Sequence, residues 1–152
     1  MTEDQWITPE MRARIGEETP PYAFDIEKGD LLRFAESTGE TNPIYVDEVA
    51  ARASRYGGLI AAPTFLITMR ILEARLLELD RPLPNSVDGG TVWTYHEPIR
   101  PGDRITARAR LADLYEKDGR FGRMLFQVVE IRYENQFGQP VVTQRDTGIY
   151  YP

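Results

Sequence analysis

The sequence predicts an α+β fold, in which a few helices come first and a run of antiparallel strands follows. The longest helical pattern, Pro63–Leu79, is apolar almost all round in its first half. After this pattern, segments rich in β-forming residues are separated by turn-forming sequences. Helices that are segregated from a set of antiparallel strands are typical of the α+β class.

Length and composition are those of one globular domain. The chain has 152 residues, of which 41% are hydrophobic and 28% are charged. A domain of this size buries roughly two thirds of the surface that its unfolded chain exposes. We expect residues 1–20 to be a lead-in and residues 21–152 to form the domain.

Charge and residue counts exclude several kinds of function. The formal net charge of -6 argues against a nucleic-acid-binding protein, whose surface is usually basic. Without cysteine there is no disulfide, thiolate nucleophile or cysteine-ligated zinc, and the single histidine, His96, rules out a two-histidine metal motif. No GxGxxG, P-loop or metal-ligand spacing occurs, so we expect neither a cofactor nor a metal.

The hydropathy pattern predicts a soluble cytoplasmic protein. Residues 1–15 mix acidic, basic and apolar residues and lack the apolar core of a signal peptide. No segment approaches the ~20 apolar residues that a membrane-spanning helix needs.

The elements before the long helix are short. Tyr22–Ile26 alternates apolar with small or polar residues and predicts a strand. Asp30 is a suitable N-cap for a helix that would end at Gly39. After a turn at residues 40–43, Asp47–Tyr56 predicts a second helix, ended by two glycines. Its inward residues are expected to be Val49, Ala50 and Ala53.

The long helix, Pro63–Leu79, is expected to be the centre of the fold. Apolar residues recur in it at steps of three and four. Because Pro63–Met69 is apolar almost all round, we expect that half to be deeply buried. Pro82 and Pro84 follow and prevent the helix from continuing.

The second half of the chain predicts four strands. Thr91–Glu97 is rich in β-formers, and the segment Ile105–Leu111 alternates strictly between apolar and polar residues. Asp118-Gly119 is typical of a tight hairpin turn. The remaining strands and the turn between them are Met124–Tyr133, Asn135–Gly138 and Val141–Tyr150. A sheet wrapped around one apolar helix is the hot-dog architecture, and it would explain why the first half of that helix lacks a polar face.

Five segments resemble the MaoC-like hydratase/dehydratase family. They are residues 37–48, which include the motif Glu40-Thr41-Asn42-Pro43, and residues 56–65, 98–103, 122–126 and 132–136. The resemblance spans roughly Trp6–Tyr151 and is strongest to the N-terminal-type domain, also called the dehydratase domain of fungal fatty-acid-synthase type. It implies a hot-dog fold, an acyl-CoA or acyl-carrier-protein thioester as substrate, and hydration of a trans-2-enoyl group or the reverse dehydration.

The resemblance also supplies candidate site residues. Active members carry Gly-Asp-x-Asn-Pro-aliphatic-His, and here the Asp position holds Glu40, the Asn position Asn42 and the His position Tyr45. Glu40 and Asn42 are thus candidate catalytic residues. Active members also carry His-Gly at the start of the buried helix, where a backbone N–H polarises the thioester carbonyl; this chain has Pro63 there, which has no N–H. The residues expected to line the substrate site are Tyr45, Tyr56, Pro63, Thr64 and Phe65.

Each candidate has a structural explanation as well. Glu40 is explained as a solvated turn residue, and Asn42 as a turn residue whose side chain bonds nearby backbone. Tyr45 is explained as a buried aromatic with its hydroxyl satisfied. We expect His96 to be a half-exposed structural residue, because its neighbour Glu97 would face the opposite side of a strand.

Three functions follow from these observations. The first is a subunit of a heteromeric enoyl-CoA hydratase: a catalytically incomplete half that builds one side of an acyl tunnel and pairs with an active MaoC-like chain. By family behaviour, its acyl group would be branched, steroid-derived or long. The second is a homodimeric hydratase or thioesterase with Glu40 as the base, and the third is a non-catalytic acyl-thioester binding module. All three predict a dimer, because sheets of this family join edge to edge.

Overall fold

The computed structural model describes residues 6–69 and 77–152. In this part of the chain, five strands form one antiparallel sheet in the order β1-β3-β4-β5-β2. The strands are β1 (Tyr22–Asp25), β2 (Asn85–Tyr95), β3 (Arg104–Gly119), β4 (Gly122–Glu134) and β5 (Pro140–Tyr151). The helices are α1 (Pro9–Ala13), α2 (Lys28–Ser37), α3 (Pro43–Val46) and α4 (Glu48–Ala53), with a 3₁₀ helix at Phe65–Thr68. The predicted α+β class is confirmed.

The central strands carry the core. On β3, the alternating residues Ile105, Ala107, Ala109 and Leu111 have no exposed surface, as their pattern predicts. On β4, Leu125, Ile131 and Tyr133 belong to the same hydrophobic cluster. We call the face of the sheet that carries these three β4 residues the inner face.

The segment before β1 packs against the sheet. Thr8 caps α1 by accepting the Met11 N–H, and Ile7 and Met11 are buried in the core. The backbone N–H of Ile7 donates to the Glu116 carboxylate on β3 at 2.9 Å. Glu18 forms an isolated bridge with β3. The boundary that the sequence suggests at residue 20 stays a prediction.

The helices before the site differ from the sequence prediction in detail. Helix α2 begins after Glu27, so the prediction of Asp30 as its N-cap is wrong; Asp30 lies in the first turn, where a carboxylate favours the helix dipole. Gly39 follows the helix with φ of 69°, as expected of a C-terminal stop. In α4 the buried residue is Ala51, whereas Val49 is 77% exposed, so the predicted inward face is wrong.

The predicted helix Pro63–Leu79 is not α-helical over its first part. Residues 63–64 form a turn, Phe65–Thr68 is a 3₁₀ helix, and Met69 is extended. The reason is local: Thr64 has a left-handed backbone with φ of 65°, which interrupts a right-handed helix. Residues 70–76 of the predicted helix lie outside the described residues.

Burial in this segment is one-sided. Phe65 and Leu66 are buried, as predicted, but Ile67 is 67% exposed. The expectation that the whole of Pro63–Met69 is deeply buried is therefore wrong.

Strand β2 is longer than predicted and lies at an edge of the sheet. It begins at Asn85 rather than at Thr91 and ends at Tyr95. The register with β5 shifts between Asp88 and Thr91, which marks a bulge at Gly89-Gly90. Two glycines in a row hid this strand from the sequence pattern, because glycine is depleted in strands.

The β3–β4 hairpin turns later than the sequence predicts. The strands stay paired as far as Gly119 opposite Gly122, so residues 120–121 form the turn instead of Asp118-Gly119. Gly122 has φ of 89°, and this glycine supplies the left-handed backbone.

The structure also bears on the membrane question. Within residues 6–69 and 77–152, no helix is long and apolar enough to cross a bilayer.

Candidate functional site

A cavity of about 340 Å³ opens where the end of β2, helix α3 and the loop before the 3₁₀ helix meet. Its apolar lining is mostly buried and includes Ile60, Phe65, Leu66, Trp93 and Val142. Its more exposed polar lining is Tyr45, Arg55, Tyr56, Tyr95, His96 and Glu97. A concave apolar site with a few convergent polar groups is typical of small-molecule binding.

Backbone hydrogen bonds hold the loop that forms one wall of the cavity. The Ala61 N–H donates to the Ile99 carbonyl at 2.8 Å. The Arg100 guanidinium donates to the Tyr56 carbonyl at 2.6 Å. Both contacts tie residues 56–61 to the turn after β2, so two separate motifs of the sequence form one rigid wall.

Tyr45 is presented to the cavity by helix α3. Asn42 caps this helix by accepting the Ile44 N–H at 3.2 Å, and Pro43 occupies its first position. The pKa of Tyr45 is raised by burial and further by Glu40, Tyr56 and Tyr95 nearby. Tyr45 is therefore a neutral phenol at physiological pH, able to donate a hydrogen bond but poorly able to accept a proton.

The two candidate catalytic residues, Glu40 and Asn42, are engaged with the local backbone. One carboxylate oxygen of Glu40 accepts the N–H groups of Thr41 and Asn42, each at 3.0 Å. Neither side chain is part of the cavity lining. These contacts match the structural explanation of both residues, and their catalytic roles stay predictions.

The backbone N–H donors at the start of the predicted central helix differ from those implied for active members of the family. Pro63 has no N–H, and the next N–H along the chain, that of Thr64, donates to the Tyr95 hydroxyl at 3.1 Å. Thr64 is the non-glycine residue with a left-handed backbone within the described ranges. The strained turn thus directs a backbone donor at a phenol of the cavity rather than leaving it free for a ligand.

The structure brings the predicted substrate-binding residues together. Tyr45, Tyr56, Pro63, Thr64 and Phe65 all line the cavity. Phe65 is 2% exposed and packs edge-on against Phe34 at 5.6 Å between ring centroids. The Tyr56 hydroxyl contacts the Arg55 guanidinium at 2.6 Å. Their juxtaposition is observed, whereas their contact with a substrate stays a prediction.

His96 lies in the same cavity, which the sequence did not predict. Its Nε2 lies 3.0 Å from the Thr143 hydroxyl, and its side chain is exposed. Glu97 lines the cavity too. The reasoning that placed these neighbours on opposite sides is wrong, because β2 ends at Tyr95 and strand alternation does not extend to them.

No pattern in the sequence predicts the other residues that line the cavity. Trp93 and Tyr95 lie in a strand whose pairing partner is β5, about 50 residues further on, so only the fold brings them to the cavity. Among the residues that the structure describes, no three His, Asp or Glu side chains gather closely enough to hold a metal ion.

Comparisons with known proteins place this arrangement in context. The family described as FAS1-like, dehydratase domain region, matches residues 13–144. A UPF0336 protein of Streptomyces griseus subsp. griseus is 31% identical over 136 residues, covering 85% of this chain and 87% of that protein. The 3-oxo-4,17-pregnadiene-20-carboxyl-CoA hydratase alpha subunit of Mycobacterium tuberculosis is 28% identical over 113 residues, or 65% of this chain and 36% of that protein.

Solved structures share the fold. A MaoC-like dehydratase from Rhodospirillum rubrum has a TM-score of 0.70 at 22% identity, covering 90% of this chain and 92% of that one. The ChsH1-ChsH2 complex from Mycobacterium tuberculosis gives 0.75 at 20% identity, with 93% and 87% covered. The HadBC (3R-hydroxyacyl-ACP dehydratase) complex from the same organism gives 0.71 at 23% identity, with 86% and 92% covered. The predicted hot-dog fold is confirmed.

Proposed function

The chain belongs to the FAS1-like dehydratase-domain family of MaoC-like hot-dog proteins, and from this premise we propose that it takes part in hydrating trans-2-enoyl thioesters or in the reverse dehydration. More narrowly, we propose that it is the catalytically incomplete, acyl-binding half of such an enzyme. Its active counterpart is a second MaoC-like chain that carries the intact motif.

The chemistry of the reaction sets the requirements. Hydration adds the hydroxyl group of water to C3 and a proton to C2 of the enoyl group. It needs a base for the water, an acid for C2, and donors for the thioester oxygen, on which negative charge develops. Tyr45, Tyr56 and Tyr95 line the cavity and provide phenol hydroxyls. The raised pKa of Tyr45 makes this residue a poor base.

One observation carries the proposal of an incomplete half. The position of the family's histidine holds Tyr45, whose raised pKa keeps it protonated, and the Thr64 N–H is already bonded to Tyr95. The acid–base pair and the oxyanion donor of the family are thus both replaced, while the apolar cavity is retained.

The exposed edge of the sheet supports pairing with another chain. In the part of the chain that the structure describes, strand β2 has no neighbour on its outer side, and Val87 and Val92 are 48% and 63% exposed on it. An edge strand with unpaired backbone groups is a template for another strand. The ChsH1-ChsH2 and HadBC structures, which share this fold, are complexes.

The test compares the chain alone with the chain co-expressed beside a MaoC-like partner that has the intact motif. We expect the lone chain to bind acyl-CoA without hydrating crotonyl-CoA or longer enoyl-CoA, and the pair to be active. Strong hydration by the lone chain would overturn the proposal of an incomplete half. Saturable acyl-CoA binding with no turnover in any pairing would instead identify a non-catalytic binding module.

Restoring the motif gives a matched test within the chain. The double change Glu40→Asp and Tyr45→His is expected to give the lone chain measurable hydratase activity, because it reinstates the family's carboxylate and imidazole. Tyr45→Phe is the control, since it removes the hydroxyl without adding a base.

A second candidate is a hydratase that works alone. The observation in its favour is that His96 lines the cavity beside Glu97 and can serve as a base. If the lone chain is active, His96→Gln distinguishes this mechanism from the one based on Glu40: loss of turnover in His96→Gln but not in Glu40→Gln would assign the base. From the hydropathy pattern of the sequence we also propose a cytoplasmic location.

A further inference from the structure

A second cavity, of about 440 Å³, lies along the inner face of the sheet. Its floor is formed by β4, β5 and β2 and includes Gln127, Val129, Gln144 and Asp146. Trp93 lines both this cavity and the candidate site, so the two share one wall. An acyl group that is longer than the first cavity would pass Trp93 and enter the second.

The inner face carries a chain of polar side chains here. Ile131 is paired with Gln144, and Val129 with Asp146, so these β5 side chains share the face of the β4 core residues. The Tyr133 hydroxyl donates to Gln144 Oε1 at 2.8 Å, and Gln144 Nε2 donates to the Asp146 carboxylate at 2.8 Å. A face that packs into an apolar core does not need such a chain for its folding.

The Asp146 carboxylate accepts a hydrogen bond from a further donor. The Thr91 hydroxyl on β2 donates to Asp146 Oδ1 at 2.8 Å. The carboxylate thus joins β5 to the edge strand at the level of the cavity. Its second oxygen, Oδ2, accepts only from Gln144 among the described contacts and keeps capacity for another donor.

Gln127 is the unexplained polar group of this cavity. The residue is 6% exposed, and its Nε2 donates to the Leu77 carbonyl at 3.1 Å. Its Oε1 is buried and has no hydrogen-bond partner among residues 6–69 and 77–152. A buried acceptor without a partner is unfavourable for folding, so its retention next to a cavity indicates a ligand that donates to it.

Each donor group at this cavity already makes a hydrogen bond, and acceptor capacity remains as well. The hydroxyls of Thr91 and Tyr133 and the amides of Gln127 and Gln144 each already donate to a protein oxygen. Gln127 Oε1 and Asp146 Oδ2 are left as acceptors. The Gln127 amide also has a second N–H. A hydroxyl group on the ligand can donate to these acceptors and accept from that N–H, whereas a carbonyl group can only accept.

From this balance we infer that the inner-face cavity binds an acyl chain that carries a hydroxyl group beyond the reacting carbons. The inference rests on the proposed function, because it names the substrate class of that same site. The hydroxyl in question is not the one that hydration places on C3, since the two cavities share only Trp93 among their described lining residues. Plain chains bind less tightly, and chains with a keto group at that position gain less than hydroxylated chains, because a carbonyl cannot donate to the acceptors.

The experiment is calorimetric binding of matched acyl-CoA probes to the purified full chain. The probes are dodecanoyl-CoA and its derivatives with a single hydroxyl or a single keto group at positions 6, 8, 10 and 12. We expect at least one hydroxylated probe to bind about tenfold more tightly than dodecanoyl-CoA, and no keto probe to do so; tenfold corresponds to about 1.4 kcal/mol. Equal or weaker binding of every hydroxylated probe would overturn the inference.

Gln127→Met tests the site directly. It keeps the length of the side chain but removes the acceptor, so the tenfold preference for a hydroxylated probe over dodecanoyl-CoA is expected to disappear. Circular dichroism and thermal unfolding, compared with the wild type, show that the variant is folded. Gln139→Met, in the exposed turn before β5, is the matched control and is expected to keep the preference. A preference that survives Gln127→Met would remove Gln127 from the proposal and overturn it.

The outcomes also distinguish a failure of this inference from a failure of the proposed function. If no acyl-CoA binds, the proposed function fails and the inference fails with it. If dodecanoyl-CoA binds but hydroxylated probes gain nothing, the acyl-thioester function stands and only the substrate class is wrong.

Discussion

Thr64 is the residue at which local strain and the candidate site coincide. A β-branched residue with φ of 65° pays a steric cost of about 1–2 kcal/mol, because its side chain crowds the following carbonyl. The turn nevertheless positions the Thr64 N–H on the Tyr95 hydroxyl. The conformation therefore serves the wall of the cavity more than the stability of the chain.

Replacing Thr64 with glycine is expected to stabilise the fold. Glycine adopts this backbone without strain, although it adds freedom to the unfolded chain, so we expect a net gain of about 0.5–1 kcal/mol in the free energy of unfolding. Urea denaturation measures it. The control is Thr68→Gly in the 3₁₀ helix, where no left-handed backbone is relieved and a loss is expected; a loss at Thr64 as well would contradict the strain argument.

Tyr133 links stability to alkaline pH. This residue is 1% exposed, and burial raises the pKa of its phenol, with a further rise from Asp146. The folded-state pKa is above the unfolded value of about 10, so the contribution to stability is fully present below pH ~10 and is lost as the pH rises toward the folded-state value.

Tyr133→Phe is expected to flatten this alkaline loss. At neutral pH the variant is less stable by about 0.5–1.5 kcal/mol, because the hydrogen bond to Gln144 is gone. Above pH ~10 the difference from the wild type narrows, since only the wild type still loses stability through this group. Denaturation curves at a series of pH values check this, with Tyr22→Phe as the variant that removes a phenol elsewhere. A constant gap across pH would show that Tyr133 is not the linked group.

At the scale of elements, the bulge in β2 depends on Gly89. A Cβ at this position would lie 2.8 Å from the Thr147 carbonyl oxygen and 2.9 Å from an Ile149 side-chain carbon. The bulge thus brings the edge strand close to the backbone of β5, as a bulge glycine often does. This close approach holds in place the part of β2 from which Thr91 and Trp93 line the cavities.

Gly89→Ala is expected to destabilise the chain by about 1–3 kcal/mol, because a rigid backbone atom must move to admit the methyl group. Gly58→Ala is the matched control, since a Cβ there meets nothing within 4 Å and the backbone is not left-handed. Thermal unfolding of the two variants measures the difference. Equal stability of both would show that β2 yields freely at the bulge.

The elements that the sequence predicted well share one property. The strands β4 and β5 are long runs of β-forming residues, and the structure has them within a few residues of the predicted bounds, whereas β3 continues from the alternating segment Ile105–Leu111 to Gly119. The elements that were wrong depend on a few backbone positions: the left-handed Thr64 ended an expected helix, and Gly89-Gly90 hid half of β2. Periodicity reports which face is buried, but it does not report single dihedral angles.

The candidate site was predictable only in part, for a related reason. Tyr45, Tyr56 and Phe65 lie in segments whose motifs mark them, whereas Tyr95 and His96 reach the cavity through pairing of β2 with β5. The polar chain of the inner face requires register as well, because Gln144 and Tyr133 meet only once β4 and β5 are aligned. Such contacts are absent from a linear pattern.

At the scale of the whole molecule, we expect the outer edge of β2 to be where a second chain pairs. A lysine placed on an edge strand opposes strand pairing, because its charge cannot be buried there without cost. We therefore expect Val92→Lys to convert the predicted dimer to a monomer, as measured by light scattering. Val49→Lys is the control, since Val49 is 77% exposed on α4 and its change leaves the edge intact. A dimer that persists in Val92→Lys would place the interface elsewhere.

The position of Trp93 between the two cavities gives the molecule an optical reporter of its own. The chain has two tryptophans, and the other, Trp6, lies in the N-terminal segment with its indole N–H on the Arg123 carbonyl. Trp6→Phe would leave a single emitter at the wall that both cavities share. Its emission wavelength and quenching then report whether a bound acyl chain fills one cavity or extends into both. The measurement needs no label and no turnover.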